Sequence, residues 1–239
     1  MITFKRKFYD EMLEWKKTSN GKTALMIDGA RRVGKSTIAE EFAKNEYDDY
    51  LLIDFVNASE DIKDNFQNLG NMEAFFRNLF LFAGKGLKSN NSVIIFDEVQ
   101  KFPRAREAIK YLVKDGRYHY IETGSLISIK KKSQEIVIPS EEDKRKMYPM
   151  DFEEFLWAAG DNVTAPFIKE CFEKRVPAGD RIHRKIMTSF RTYFAVGGMP
   201  QAVDAYVQGK TYQEIDMIKR NILSLYEEDL GKYDDEYNA

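Results

Sequence analysis

Gly29-Ala30-Arg31-Arg32-Val33-Gly34-Lys35-Ser36, followed by Thr37, has the form GxxxxGK[ST]. Before it, Thr23-Ala24-Leu25-Met26-Ile27-Asp28 is apolar enough for a buried strand. After it, Ile38, Ala39, Phe42 and Ala43 fall on one face of a helix between Ser36 and Lys44. Strand, loop and helix in that order make a cradle for phosphate. Glycines at 29 and 34 admit backbone angles that a side chain would resist, so successive N–H groups can turn inward around phosphate oxygens. A helix opening near Gly34 adds the positive end of its dipole. Lys35 is long enough to reach the β- and γ-phosphates, and the Ser36 hydroxyl stands where it can ligate Mg²⁺. Residues 29 to 37 are thus the expected binding set for a nucleoside triphosphate.

The second half of such a site is expected at Ser92-Val93-Ile94-Ile95-Phe96-Asp97-Glu98, a buried-strand run ending in two acids. A carboxylate leaving the C-terminal end of a parallel strand beside the loop suits Asp97 as the metal-holding acid. Glu98, one residue on, points elsewhere and suits a general base that polarises water. Two further strands read at Tyr50 to Val56 and Tyr118 to Ser125. This order is that of P-loop proteins with an extra strand beside the phosphate loop, in which the last strand carries a γ-phosphate sensor. Thr123 is the first candidate for it and Ser125 the second. Met72, Phe75, Phe76, Leu79, Phe80 and Ala83 keep helical spacing, as do Ala105, Ala108, Ile109, Leu112 and Val113. The expected fold is α/β: a P-loop three-layer sandwich with a mainly parallel sheet, followed by a helical, lid or winged-helix-like segment. The boundary is expected at 150, with 1–150 the core and 151–239 the helical part.

Composition narrows the function classes. A chain of 239 residues with 43% hydrophobic content can bury a core, and no apolar run is long enough to cross a bilayer. The start, Met1-Ile2-Thr3-Phe4 followed by Lys5-Arg6-Lys7, does not resemble a signal peptide, and one cysteine, Cys171, excludes an internal disulfide. A cytoplasmic location is expected. A net charge of −2 offers nucleic acid no global attraction, although basic clusters stand at Lys130–Lys132, Lys144–Lys146 and Arg181–Lys185. DNA is therefore a possible partner without support from charge. His119 and His183 lie far apart, away from zinc-ligand spacing.

Ser128 to Lys146 reads as a long loop, or a short exposed hairpin around Glu135-Ile136-Val137-Ile138, separating the sheet from the helical part. Asp151-Phe152-Glu153-Glu154 has the pattern of a capping box, with Asp151 accepting from the first turn and Glu154 reaching back. Beyond Pro166 the pattern is helical. Ile186, Met187, Phe190, Tyr193 and Phe194 share a face, Gly197-Gly198-Met199-Pro200 breaks and restarts the helix, and Ile215, Ile218, Ile222 and Leu225 mark a last one.

The phosphate loop, Phe96-Asp97-Glu98-Val99-Gln100, Thr123-Gly124-Ser125, Met147-Tyr148-Pro149-Met150-Asp151-Phe152-Glu153-Glu154-Phe155-Leu156 and Val196-Gly197-Gly198-Met199-Pro200 together resemble the prokaryotic AAA-type ATPases that carry a C-terminal domain of unknown function. The last two segments are the specific part. The resemblance implies an ATPase core, a helical or winged-helix-like continuation, and in family members a restriction-endonuclease-like domain; this chain is expected to stop before that domain. It further implies that Lys35 and Ser36 contact phosphates and Mg²⁺, Asp97 the metal water and Glu98 the attacking water. Thr123 or Ser125 would sense the γ-phosphate, and Gln100 would order the acidic turn. Glu122, a charge late in a strand, departs from the usual apolar residue.

An AAA-type mechanism also calls for an arginine from a neighbouring subunit, hence a homo-oligomer; Arg104, Arg106, Arg145 and Arg191 are candidates. Trp15 and Arg6 are weighed as adenine neighbours, with packing of an N-terminal helix the alternative for Trp15. The expected function is ATP hydrolysis with Mg²⁺ driving a conformational change, without a membrane. A nucleotide-gated scaffold with negligible turnover and a small-molecule kinase stand as alternatives, and Glu98 beside Asp97 favours water over a kinase acceptor.

Overall fold

The computed structural model describes residues 3–88, 91–125 and 139–235, with side chains as far as 228. The chain divides into two compact units: residues 8–30 with 34–148, and residues 1–7, 31–33 and 149–239.

In the first unit the element order is α1 (Phe8–Ser19), β1 (Ala24–Gly29), α2 (Lys35–Glu46), β2 (Asp49–Asp54), α3 (Glu60–Asn65), α4 (Met72–Ala83), β3 (Ser92–Asp97), a short 3₁₀ turn (Val99–Lys101), α5 (Pro103–Asp115), β4 (His119–Ser125) and β5 (Glu142–Met147). Among the described residues the strands form one parallel sheet in the order β2-β3-β4-β1-β5. β1 and β3 are buried along their whole length, which is why both read as continuous apolar runs. β4 lies between β1 and β3, pairing Ile27 with Thr123 and Phe96 with Glu122. The extra strand beside the loop strand is therefore present. Phe75, Phe76 and Leu79 of α4 and Ala105, Ala108, Ile109 and Leu112 of α5 join Met26, Ile94, Phe96 and Tyr120 in one core. The aromatic stripe of α4 is packing: Phe76 meets Tyr118 edge-on at 5.1 Å.

Part of the expected loop after Ser128 is corrected. Residues Glu142–Met147 form the edge strand β5, pairing in register with Ala24–Gly29 of β1. Lys144 and Arg145 of the expected basic cluster face acids there: Lys144 Nζ lies 2.9 Å from Asp28 Oδ2, and Arg145 lies 3.2 Å from Asp143 and 3.4 Å from Glu14. The Lys130–Lys132 cluster and the expected hairpin at 135–138 lie outside the described residues. Trp15 is fully buried and its indole N–H donates to Thr23 Oγ1 at 3.3 Å, so its role is packing and the adenine-neighbour alternative fails.

In the second unit the described elements from 149 onward are helices: α6 (Phe152–Ala158), α7 (Thr164–Lys174), α8 (Asp180–Val196), α9 (Pro200–Val207) and α10 (Tyr212–Asp235). The capping box forms, with Glu154 N–H on Asp151 Oδ1 at 2.9 Å and Asp151 N–H on Glu154 Oε2 at 3.1 Å. The two specific sequence segments meet. Met150 N–H donates to Gly198 O at 2.7 Å, and Tyr193 Oη donates to Met150 O at 2.9 Å. A Cβ at Gly198 would stand 2.1 Å from Met150 O, so the backbones approach too closely for any side chain. Met150, Phe155, Val196, Ala202, Val203 and Ile215 form the core around this contact. Among the described residues no helix is long and apolar enough to cross a membrane.

Candidate functional site: a phosphate loop facing an acidic strand end

β1 ends at Gly29 and α2 begins at Lys35, so the loop between them opens a helix N-terminus at the carboxyl edge of the sheet. Gly34 caps that helix with φ 98° and ψ 22°, the left-handed conformation that suits glycine. Gly29 is not among the residues with positive φ; Arg32 is, at φ 68°. The expectation for Gly29 is corrected accordingly: the second left-handed residue of the loop bears a long side chain. Positive φ costs a non-glycine residue of order 1–3 kcal/mol and persists where surroundings over-determine it. Arg32 also lines a cavity of about 570 Å³ with Gln201, Asp204, Lys210, Glu214 and Asn221 among its walls.

Lys35 is buried, and its Nζ donates to Gly29 O at 3.2 Å and Ala30 O at 3.0 Å, folding back over the loop. Ser36 Oγ donates to Asp97 Oδ1 at 2.7 Å. The loop and the acidic strand end, 61 positions apart, thus share one point in space. Thr123, fully buried on β4, donates its hydroxyl to the same Asp97 oxygen and accepts the Glu98 N–H at 3.2 Å. Ser125 pairs in register with Gly29, level with the start of the loop. Thr37 follows Ser36 in α2 and is exposed.

Glu98 takes φ 56° and ψ 46°, a left-handed conformation rare outside glycine and asparagine. The Thr123 hydroxyl on its N–H and the Gln100 amide on its Oε2 hold the turn. The acids after Phe96 diverge because the strand ends there: Asp97 turns to Ser36, and Glu98 swings into the 3₁₀ turn.

Of the candidate arginines, Arg106 is withdrawn. Its side chain is 4% exposed and makes a two-pronged pair with Glu142, at 2.7 Å and 2.6 Å, so it is not presented to a neighbour. Arg145 is mostly covered and engaged with Asp143 and the Glu11 carbonyl. Arg104 and Arg191 are exposed.

Residues 21–156, more than half of the sequence, match a family described as AAA domain. The chain belongs to this AAA-domain family. Residues 187–239 of this AAA-domain protein match a domain of unknown function (DUF8612). No curated protein matches it. Among solved structures, it is similar to the PCH-2 protein of C. elegans, with 13% identity over 95% of this chain and 69% of that one, TM-score 0.46. It is also similar to the Pif1 helicase of Candida albicans, with 12% identity over 66% of this chain and TM-score 0.36; it spans 44% of that helicase chain.

The Thr123 contact is one that sequence reasoning missed. A threonine before Gly-Ser at a strand end reads as reaching toward phosphate, and the register that turns it to Asp97 depends on β4 inserting between β1 and β3.

Proposed function

We propose that this AAA-domain protein binds ATP with Mg²⁺ and hydrolyses it, using the cycle to drive a conformational change. The observation that supports this most is the 2.7 Å contact between Ser36 Oγ and Asp97 Oδ1, which joins the phosphate loop to the acidic strand end. A hydroxyl and a carboxylate make an all-oxygen pair that suits a hard divalent cation. Ser36 and Asp97 would hold Mg²⁺, which when bound neutralises charge on the β- and γ-phosphates.

The chain's own residues supply the rest. The amides from Gly29 to Thr37 wrap the phosphates, and Lys35 exchanges its two carbonyl partners for phosphate oxygens. Thr123 fixes one oxygen of Asp97 and so aims the carboxylate, while its acceptor bond to the Glu98 amide sets the turn that carries the base. Glu98 orients the attacking water and takes its proton. Ser125 is the better placed of the two sensor candidates, because the Thr123 hydroxyl is engaged with Asp97. A neighbouring copy would supply an arginine, and Arg104 and Arg191 are the exposed candidates. The location is read as cytoplasmic, and DNA is a partner that the net charge of −2 does not favour.

One observation favours the alternative of a nucleotide-gated switch with little turnover: the Gln100 amide already occupies a Glu98 carboxylate oxygen. Phosphate release with ATP and Mg²⁺, measured across protein concentrations and with and without DNA, separates the two. Hydrolysis that Glu98→Gln abolishes while ATP binding persists fits the ATPase. Binding without release in the unaltered protein fits the switch, and release undiminished in Glu98→Gln removes Glu98 as base.

A further inference from the structure

The top of the phosphate loop, Arg31–Val33, packs as part of the unit that holds residues 1–7 and the helices after 149. Two of its carbonyls are gripped there. Tyr226 Oη, on α10, donates to Arg31 O at 2.5 Å, and Arg6 Nη1 donates to Val33 O at 3.0 Å in a buried contact. Arg6 is itself held by Glu154, whose Oε1 lies 3.2 Å from Arg6 Nε and accepts the Lys7 N–H at 2.7 Å.

Among the described residues every peptide bond is trans, and in a trans peptide the carbonyl of one residue and the N–H of the next point in opposite directions. A donor that draws the Arg31 carbonyl outward therefore turns the Arg32 N–H inward. The same pull on Val33 turns the Gly34 N–H inward. The positive φ at Arg32 and Gly34, alternating with their neighbours, is the geometry in which such amides converge on one anion. Resting on the nucleotide-binding reading above, we propose that Tyr226 and Arg6, the latter steadied by Glu154, are positioning residues that pre-orient the Arg32 and Gly34 amides for the phosphate chain. The capping box of α6 then has a second use, since its Glu154 carboxylate also anchors the arginine that shapes the loop.

The test is Tyr226→Phe, which removes one hydroxyl and keeps the ring, with Arg6→Lys as the second variant. A lysine keeps the charge facing Glu154 but lacks the fork that spans Glu154 and Val33 together. A net hydrogen bond of about 0.5–1.5 kcal/mol corresponds to roughly two- to twelvefold in affinity. Tyr226→Phe is expected to weaken ATP binding by a factor in that range. Competition by inorganic pyrophosphate should weaken equally, KM should rise, and kcat should stay within about twofold. A residue that only packs would not shift pyrophosphate and ATP together. Tyr226→Phe that binds both as tightly as the unaltered protein overturns the proposal and leaves the function standing, and an unchanged Arg6→Lys overturns the Arg6 half. Failure of the unaltered protein to bind ATP removes the underlying function instead.

Discussion

Glu122→Gln should flatten the pH dependence of stability above about pH 5. Glu122 is fully buried in β4 beside the Glu142 carboxylate, to which it donates a hydrogen bond when it carries its proton. Arg106 of α5 and Glu142 of β5 are the charged groups that act on it, and Arg106 is committed to Glu142. Burial first, and the Glu142 charge second, push the Glu122 carboxyl well above the ordinary value of 4.5, with Arg106 opposing. A raised acid keeps its proton in the folded chain while the unfolded chain has lost it. Stability is then fully present below the unfolded value and falls as pH rises toward the folded one, by at most about 1.4 kcal/mol per pH unit. A loss at that slope is felt against the roughly 5–15 kcal/mol typical of a domain. Glutamine keeps the shape and has no proton to lose. The assay is urea unfolding of both proteins at half-unit steps from about pH 5 to 9. The unaltered protein should lose stability relative to Glu122→Gln as pH rises through the lower part of that range; curves that stay parallel throughout refute the reasoning.

Gly198→Ala should cost about 2 kcal/mol or more, because its Cβ meets the Met150 carbonyl at 2.1 Å and the backbones must part, breaking the 2.7 Å bond between them. A chemical-denaturation midpoint within error of the unaltered protein would contradict this. Arg106→Met should destabilise by about 3–5 kcal/mol, since it strands Glu142 beside Glu122 in the sheet; an unfolding free energy within about 1 kcal/mol of the unaltered protein would speak against it. Arg104→Ala and Arg191→Ala, both exposed, should change stability by less than about 0.5 kcal/mol. If either supplies the intersubunit arginine, that variant alone will lose any rise of turnover with protein concentration.

The sheet was legible where burial is two-sided. β1 and β3 each carry an unbroken apolar run, Ala24–Ile27 and Val93–Phe96, and the small offsets at their ends are the ordinary uncertainty of boundaries. β5 was not legible because Glu-Asp-Lys-Arg-Lys-Met has the composition of a solvated loop. Its strand state comes from backbone pairing with β1 and from ion pairs to Asp28 and Glu14, none of which leaves a hydrophobic alternation to read. The capping box and the Gly197–Pro200 break were legible because they are local. Arg106 misleads for the opposite reason: an arginine between Ala105 and Glu107 of α5 looks exposed until β5 brings Glu142 under it. The convergence of Ser36, Asp97 and Thr123 comes from strand order, which the motifs implied. The grip of Tyr226 on Arg31 spans 195 positions and carries no sequence signature.

The loop from Gly29 to Ser36 and the carboxylate of Asp97 are proposed to form one site for a magnesium triphosphate. Titration calorimetry of ATP, with Mg²⁺ and with the metal chelated, tests this in the unaltered protein, Lys35→Ala and Asp97→Asn. The expected result is binding that Lys35→Ala abolishes, with a gain from Mg²⁺ in the unaltered protein that Asp97→Asn loses. No heat of binding in the unaltered protein, or equal affinity in all three, would contradict the assignment.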